Sequence, residues 1–184
     1  MSESPLVLSL TRLPRQIGST LHEDVEWIAP DDLGTPSMAV APGTPLAFSV
    51  DLVSVDHGVL VRAASEIDLA GECVRCLDPV SAHHAIDASD VYFETAPTLD
   101  EDDLEADDLL LIGAHDTIDL EPLLRDAIVT LVDERPLCRP DCSGLCDVCG
   151  EKLDELPEDH EHVLIDPRLA SLAALLDPST TEAD

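Results

Sequence analysis

Apolar and polar residues alternate with a period of two from Leu46 to Val55, with Leu46, Phe48, Val50 and Leu52 set against Ala47, Ser49 and Asp51. On a pleated strand, successive side chains point to opposite faces, so this pattern predicts one buried row. Asp56-His57-Gly58 supplies turn chemistry. Val59 to Leu69 then returns as a second strand, in which Ile67 and Leu69 oppose Glu66 and Asp68. That strand runs into Gly71-Glu72-Cys73-Val74-Arg75-Cys76-Leu77-Asp78-Pro79, which puts a cysteine pair at a strand end or turn. A third run, Ala82 to Phe93, closes on Val91-Tyr92-Phe93, and an antiparallel meander of at least three strands is the simplest architecture. Upstream, Leu6 to Leu10 reads as a short strand, followed by an irregular stretch punctuated by Pro30, Gly34, Pro36, Pro42 and Gly43.

The period changes after Asp119. Leu120, Leu123, Leu124, Ala127, Ile128, Leu131 and Val132 recur at helical spacing, with Asp119 as N-cap, Glu121 and Pro122 in the first turn and Pro136 as the stop. This predicts a helix over 119–135, preceded by an edge strand at Leu109 to Ile112. A shorter helix is expected from Pro167, capped by Asp166, through Leu169, Leu172, Ala173, Leu175 and Leu176. The expected fold class is α+β: a small antiparallel sheet covered by one main helix, with a C-terminal Cys-rich zinc knuckle and a short terminal helix. One domain spans 5–176, divided into a mainly β part (5–93), an acidic linker (94–108), a strand and helix (109–136), the knuckle (137–153) and the terminal helix (165–176). The tail 177–184 reads as disordered.

Charge then narrows the partners. Forty acidic against nine basic residues give the 184-residue chain a formal charge of −31, which repels phosphate backbones and anionic membranes. From Glu94 to Asp108 there are eight acidic residues and no basic one, a composition that predicts a solvated linker. The aromatic residues are Trp27, Phe48, Tyr92 and Phe93, too few for a stacking platform on single-stranded nucleic acid. No run of 18 apolar residues occurs, and the opening Met1-Ser2-Glu3-Ser4-Pro5 lacks the features of a signal peptide, so a cytoplasmic location is expected.

Six cysteines in close pairs, in a reducing compartment, point to metal binding or thiol chemistry before disulfides. Cys146-Asp147-Val148-Cys149-Gly150 has the form of a zinc knuckle, in which Gly permits the positive φ that aims backbone amides at sulfur. The favoured reading is one structural Zn2+ on Cys138, Cys142, Cys146 and Cys149. Three residues between Cys142 and Cys146 is a short interval for paired zinc motifs. The alternatives are a site joining Cys146 and Cys149 to Cys73 and Cys76, or to His160 or His162, and thiol redox chemistry. Cys73 and Cys76 read otherwise as small buried hydrophobes. His83 and His84 alternate across a strand, and His160 and His162 read as solvated.

No Gly-x-Ser-x-Gly elbow, Gly-x-x-x-x-Gly-Lys phosphate loop or Gly-x-Gly-x-x-Gly fingerprint occurs, and four thiolates leave no open metal position, so a non-enzymatic protein without a small-molecule substrate is expected. Arg75, Arg135, Arg139 and Lys152 gather near the thiols. They are read as compensating the −2 formal charge of a tetrathiolate zinc, in preference to forming a cationic RNA patch.

Gly71 to Pro79, the helix before Pro136-Leu137-Cys138, the block Gly144-Leu145-Cys146-Asp147-Val148-Cys149-Gly150 and the closing Asp166-Pro167-Arg168-Leu169-Ala170-Ser171-Leu172 together resemble the YceD family, in matching order, over roughly residues 5 to 176. The resemblance implies a bacterial and plastid family linked to accumulation of large-subunit ribosomal RNA, whose genes often neighbour that of a small large-subunit ribosomal protein. It singles out Cys73, Arg75, Cys76, Asp166, Pro167 and Arg168 as family-motif residues of unknown role. The implied function is a ribosome biogenesis factor for the large subunit that binds a ribosomal protein or assembly intermediate, while the acidity of this chain argues against direct RNA binding. A zinc-thiolate redox switch and a general acidic adaptor for basic proteins are the rival readings.

Overall fold

The computed structural model describes residues 6–96, 109–162 and Arg168. They fall into two compact units, drawn from Met1–Pro140 and Asp141–Asp184. The first holds seven strands and a helix in the order β1 (Val7–Ser9), β2 (Thr20–Ile28), β3 (Met38–Val40), β4 (Pro45–Val55), β5 (Gly58–Glu72), β6 (Pro79–Phe93), β7 (Thr117–Asp119) and α1 (Glu121–Thr130). Strand β5 organises the main sheet. Its whole length pairs antiparallel with β6, from Gly58↔Phe93 to Glu72↔Pro79. On its other edge β4 pairs as far as Ser49↔Ala64, and β3 takes over from Val40↔Leu69 to Met38↔Gly71. Strand β2 pairs with the outer edge of β4, and β1 and β7 form a separate two-stranded ribbon.

The predicted alternation is realised residue by residue. Leu46, Phe48, Val50 and Leu52 of β4, Val59, Val61, Ala63, Ile67 and Leu69 of β5 and Ile86, Ala88 and Tyr92 of β6 are buried in one core, joined by Leu6, Leu10, Leu33 and Ile118. Gly71 is there for space: a Cβ would lie 2.2 Å from the Ser37 carbonyl oxygen, so only glycine lets β3 approach β5. At the β2 end of the core Trp27 and Phe48 pack with ring centroids 6.4 Å apart. The Arg125 guanidinium sits 5.8 Å from the Trp27 ring centroid and pairs with Asp32 and Glu121.

Strands β2, β3 and β7 fall where the sequence predicts none. In β2 the half-buried or buried residues are Leu21, Glu23, Val25 and Trp27, and a glutamate within the inward row masks the period. The 109–112 segment is a ledge on β6 and not a strand: Phe93 N–H donates to Leu110 O and Ile112 N–H to Phe93 O, both at 2.9 Å. Helix α1 is shorter than its apolar stripe. Asp119 Oδ1 accepts from the Glu121 N–H at 3.0 Å, as expected of a capping residue, although Leu120 holds the N-cap position. At the far end the last turn tightens, Leu131 N–H donating to Ile128 O at 3.1 Å and Val132 N–H to Val129 O at 3.2 Å, and Asp133 Oδ1 then accepts from the Arg135 N–H at 2.8 Å ahead of Pro136. Helix α1 contacts β6 and buries Leu123, Leu124 and Ile128, and the Tyr92 hydroxyl donates to Asp119 O at 2.7 Å.

The acidic stretch beyond residue 96, the terminal helix from Pro167 and the tail 177–184 lie outside the described residues. Among the described residues no helix is long and apolar enough to cross a membrane.

Leu124 is fully buried between α1 and the sheet unit's core. Leu124→Ala is expected to lower stability by about 2–5 kcal/mol through lost burial and the cavity left behind. Urea denaturation followed by circular dichroism measures this, and a loss under about 1 kcal/mol would mean that the helix is not anchored as described.

Candidate metal centres

Cys73 and Cys76 stand at the tip of the β5–β6 hairpin, where the inward row of β5 runs on from Leu69 to a fully buried Cys73. The turn closes on itself: Cys73 N–H donates to Asp78 O at 2.8 Å and Leu77 N–H to Cys73 O at 2.9 Å. Leu77 adopts a φ of 63°, in the left-handed region that turns the chain after the second cysteine. Val74 N–H donates to Pro136 O at 2.9 Å, which ties the segment leading to Cys138 against this tip. The Cys76 and Cys138 sulfurs lie 3.5 Å apart.

The second unit repeats this turn. Cys146 N–H donates to Glu151 O at 2.8 Å, Gly150 N–H to Cys146 O at 2.9 Å, and Gly150 has a φ of 75°. The hydrogen bonds run between the same relative positions as at Cys73. An antiparallel bridge between Leu145 and Lys152, with Leu153 N–H donating to Gly144 O, holds the base of the turn. A 3-10 turn at Leu153–Glu155 and a further turn from Pro157 O to His160 N–H then bring two imidazoles to the thiols. Cys149 Sγ and His160 Nε2 are 3.6 Å apart, and the His160 and His162 rings meet edge-on with centroids 4.5 Å apart.

Two ligand sets result, the donor atoms of each within 4.8 Å of one another: Cys73, Cys76 and Cys138 in the first unit, which Cys142 follows in sequence, and Cys146, Cys149, His160 and His162 in the second. Both sets fit a tetrahedral soft-metal site. Bond lengths of about 2.3 Å to sulfur and 2.0–2.1 Å to nitrogen imply S···S separations of about 3.8 Å and S···N of about 3.6 Å. The four cysteines of the 138–149 block, expected from the sequence round one ion, are thus divided two and two. The reason is local: Cys138 follows Pro136, which is tied to the hairpin tip, whereas the second turn aims Cys146 and Cys149 at the histidines of its own unit. None of the six cysteines is in a disulfide.

Thiolate is favoured at one cysteine of each turn. Burial opposes charge on Cys73, yet the backbone amides of Cys138, Arg75 and Cys76 point at its sulfur and bring it down to about 6. The amides of Cys149 and Val148, together with the His160 ring, bring Cys146 down to about 6 as well. Leu145, Val148 and Leu153 line the same concavity as Cys146, His160 and His162. Of the remaining motif residues, Arg75 lies within the first turn and Arg168 is described alone, while Asp166 and Pro167 lie outside the described residues.

The family model described as "Large ribosomal RNA subunit accumulation protein YceD" matches residues 61–176, which takes in both cysteine turns. Curated relatives include the uncharacterized protein Rv2926c of Mycobacterium tuberculosis (strain ATCC 25618 / H37Rv), 34% identical over 96% of this chain and 84% of its own length. The uncharacterized protein ML1660 of Mycobacterium leprae (strain TN) is 34% identical over 98% of this chain and 83% of its own length. No solved structure matches the chain.

His83 and His84 do alternate across β6, His83 exposed and His84 half-buried. The hydrogen bond of His83 Nδ1 to Asp68 Oδ1 at 2.8 Å, with the charges of Asp68 and Glu66, raises the His83 pKa above 6.5. Because the folded value is the raised one, this pair stabilises the fold below about pH 6.5 and its contribution fades as pH climbs through the folded pKa. Histidine ring resonances followed by NMR should therefore show His83 titrating above 6.5, and Asp68→Asn should bring it down. An unchanged midpoint in that variant would contradict the pairing.

Proposed function

The chain belongs to the YceD family, and from that premise we propose that it is a non-enzymatic factor for large-subunit ribosomal RNA accumulation that works by binding a basic protein of the large subunit or an assembly intermediate. The observation that supports protein before RNA is the charge of the exposed sheet face. Asp24 and Glu26 of β2, Asp51 of β4, Glu66 and Asp68 of β5 and Asp87 of β6 are all exposed, with Arg62 the one arginine on those four strands. A rigid sheet holds these carboxylates in fixed register, with Asp51 opposite His22 and Asp68 opposite His83. Such a face attracts a basic protein at long range and repels a phosphate backbone. The folded ribosomal RNA, a stronger polyanion, would then compete the cargo away.

In this reading zinc on Cys73, Cys76, Cys138 and Cys142 is structural. Four thiolates fill a tetrahedral shell and leave no position for water or substrate, and the ion fastens the β5–β6 hairpin to the chain that follows α1. Arg75 and Arg139, adjacent in sequence to Cys76 and Cys138, offset the formal charge of −2 on such a centre.

Titration of the purified protein against basic large-subunit proteins and against naked large-subunit RNA tests the proposal. Binding to one or more of the proteins, weakening steeply with salt, is expected, and converting Asp24, Glu66, Asp68 and Asp87 together to Asn or Gln should slow association by about 10-fold with little effect on dissociation. Tight binding to the RNA with none to the proteins would overturn it. So would capture of thiol reductants in place of ribosomal components, the result expected of a redox switch.

A further inference from the structure

Among its described residues, 141–162 and Arg168, the second unit has almost nothing to fold around except its candidate ligands. The hydrophobic core ends at Val132 with its partly buried neighbours, and between residues 141 and 162 the buried side chains are those of Cys142 and Cys146. Leu145, Leu156 and Lys152 are only half-buried, while Val148 and Leu153 are exposed. A short segment without an apolar core does not offset the chain entropy of its turns, and small units of this kind are held by metals or disulfides. Disulfides are absent here. Yet the turn at Cys146 has the same backbone hydrogen bonds and the same left-handed residue after its second cysteine as the turn at Cys73.

We propose that the protein carries two zinc ions on separate ligand sets, and that the second, held by Cys146, Cys149, His160 and His162, is the element that folds residues 145–162. The donor chemistry selects the metal: two thiolates and two imidazoles in a closed tetrahedron suit zinc, while calcium and magnesium require oxygen ligands. Charge balance agrees with the split. Two thiolates and two neutral imidazoles cancel the dication, so this centre needs no cations beside it. Its surroundings supply almost none: Asp147, Glu151, Asp154, Glu155, Glu158, Asp159 and Glu161 lie between Cys146 and His162 with Lys152 the sole basic residue. A tetrathiolate centre of charge −2 would have Lys152 alone against seven acids in that segment, whereas Arg75, Arg135 and Arg139 stand among Glu72, Asp78, Asp133, Glu134 and Asp141 near the first four cysteines, a less acidic setting for one. The histidines thus serve as ligands that keep the second centre neutral.

The test uses the full chain, purified reduced and without chelator, with zinc counted by elemental analysis. About two zinc per chain are expected in the parent protein and about one in His160→Ala/His162→Ala, whose sheet unit should keep its circular dichroism spectrum. Amide exchange at Gly150 and Leu153, whose N–H groups close the second turn, should accelerate at least 10-fold in that variant and stay unchanged in β5 and β6. Cobalt substituted for zinc should give overlapping spectra of a tetrathiolate and a mixed thiolate–imidazole centre in the parent, and the tetrathiolate spectrum alone in the variant. One zinc per chain in the parent, or two retained after both histidines are replaced, would overturn the proposal. Loss of one zinc without faster exchange at Gly150 and Leu153 would overturn its claim that the ion folds the segment.

Discussion

Everything in the sheet unit depends on β5 being hydrogen-bonded along both edges. A strand in that position has one face free to bury, so its alternation is enforced by both neighbours: a slip of one residue against either would send Val59, Val61, Ile67 and Leu69 to solvent. The same constraint fixes the functional end. Because β5 and β6 remain in register up to Glu72↔Pro79, the next residues, Cys73 to Asp78, can only be the tip of that hairpin. The thiols of the turn are therefore placed by the core of the sheet. Gly71, just before them, is where β3 crosses too close for any side chain.

The two cysteine turns show one backbone solution used in two energetic settings. At Cys73 the turn is carried by a long hairpin with a large core beneath it, so a metal there would brace a fold that already has its own driving force. At Cys146 the same turn is carried by a bridge of one residue pair and a 3-10 turn, with Cys146 buried, His160 half-buried and Cys149 and His162 exposed. Binding free energy becomes folding free energy in such a segment. The candidate ligand types differ with the charge around them: Arg75, Arg135 and Arg139 stand among five acids near the first set, and Lys152 alone among seven in the second.

Much of this is written plainly in the sequence, and the rest is hidden for identifiable reasons. Strands β4 and β5 and the stripe of α1 are legible because their apolar residues keep regular periods, and β6 through its closing Val91-Tyr92-Phe93 despite a looser alternation. Strand β2 was not, since Glu23 occupies an inward position and the strand depends on β4 for its register. The end of α1 is not legible, because Leu131 and Val132 continue the stripe while their N–H groups already bond three residues back, a tightening that periodicity does not encode. Every cysteine of the site was visible, but their partition was not. Spacing along the chain favoured four neighbouring thiols, whereas the hairpin brings Cys76 to Cys138 across 62 residues. His160 and His162 read as solvated amid acids, with a place beside Cys146 and Cys149 as the alternative, and the turn at Pro157 brings His160 to 3.6 Å from Cys149.

If both ligand sets hold zinc as proposed, the composition of the two metal shells distinguishes this arrangement from a single tetrathiolate site. Six thiolates and two imidazoles shared over two ions give a mean shell of three sulfurs and one nitrogen per zinc. X-ray absorption at the zinc edge of the intact protein reads that average directly. A mixed shell is expected, with sulfur at about 2.3 Å, nitrogen at about 2.0 Å and the outer-shell scattering of imidazole rings. A pure four-sulfur shell without imidazole scattering would contradict it.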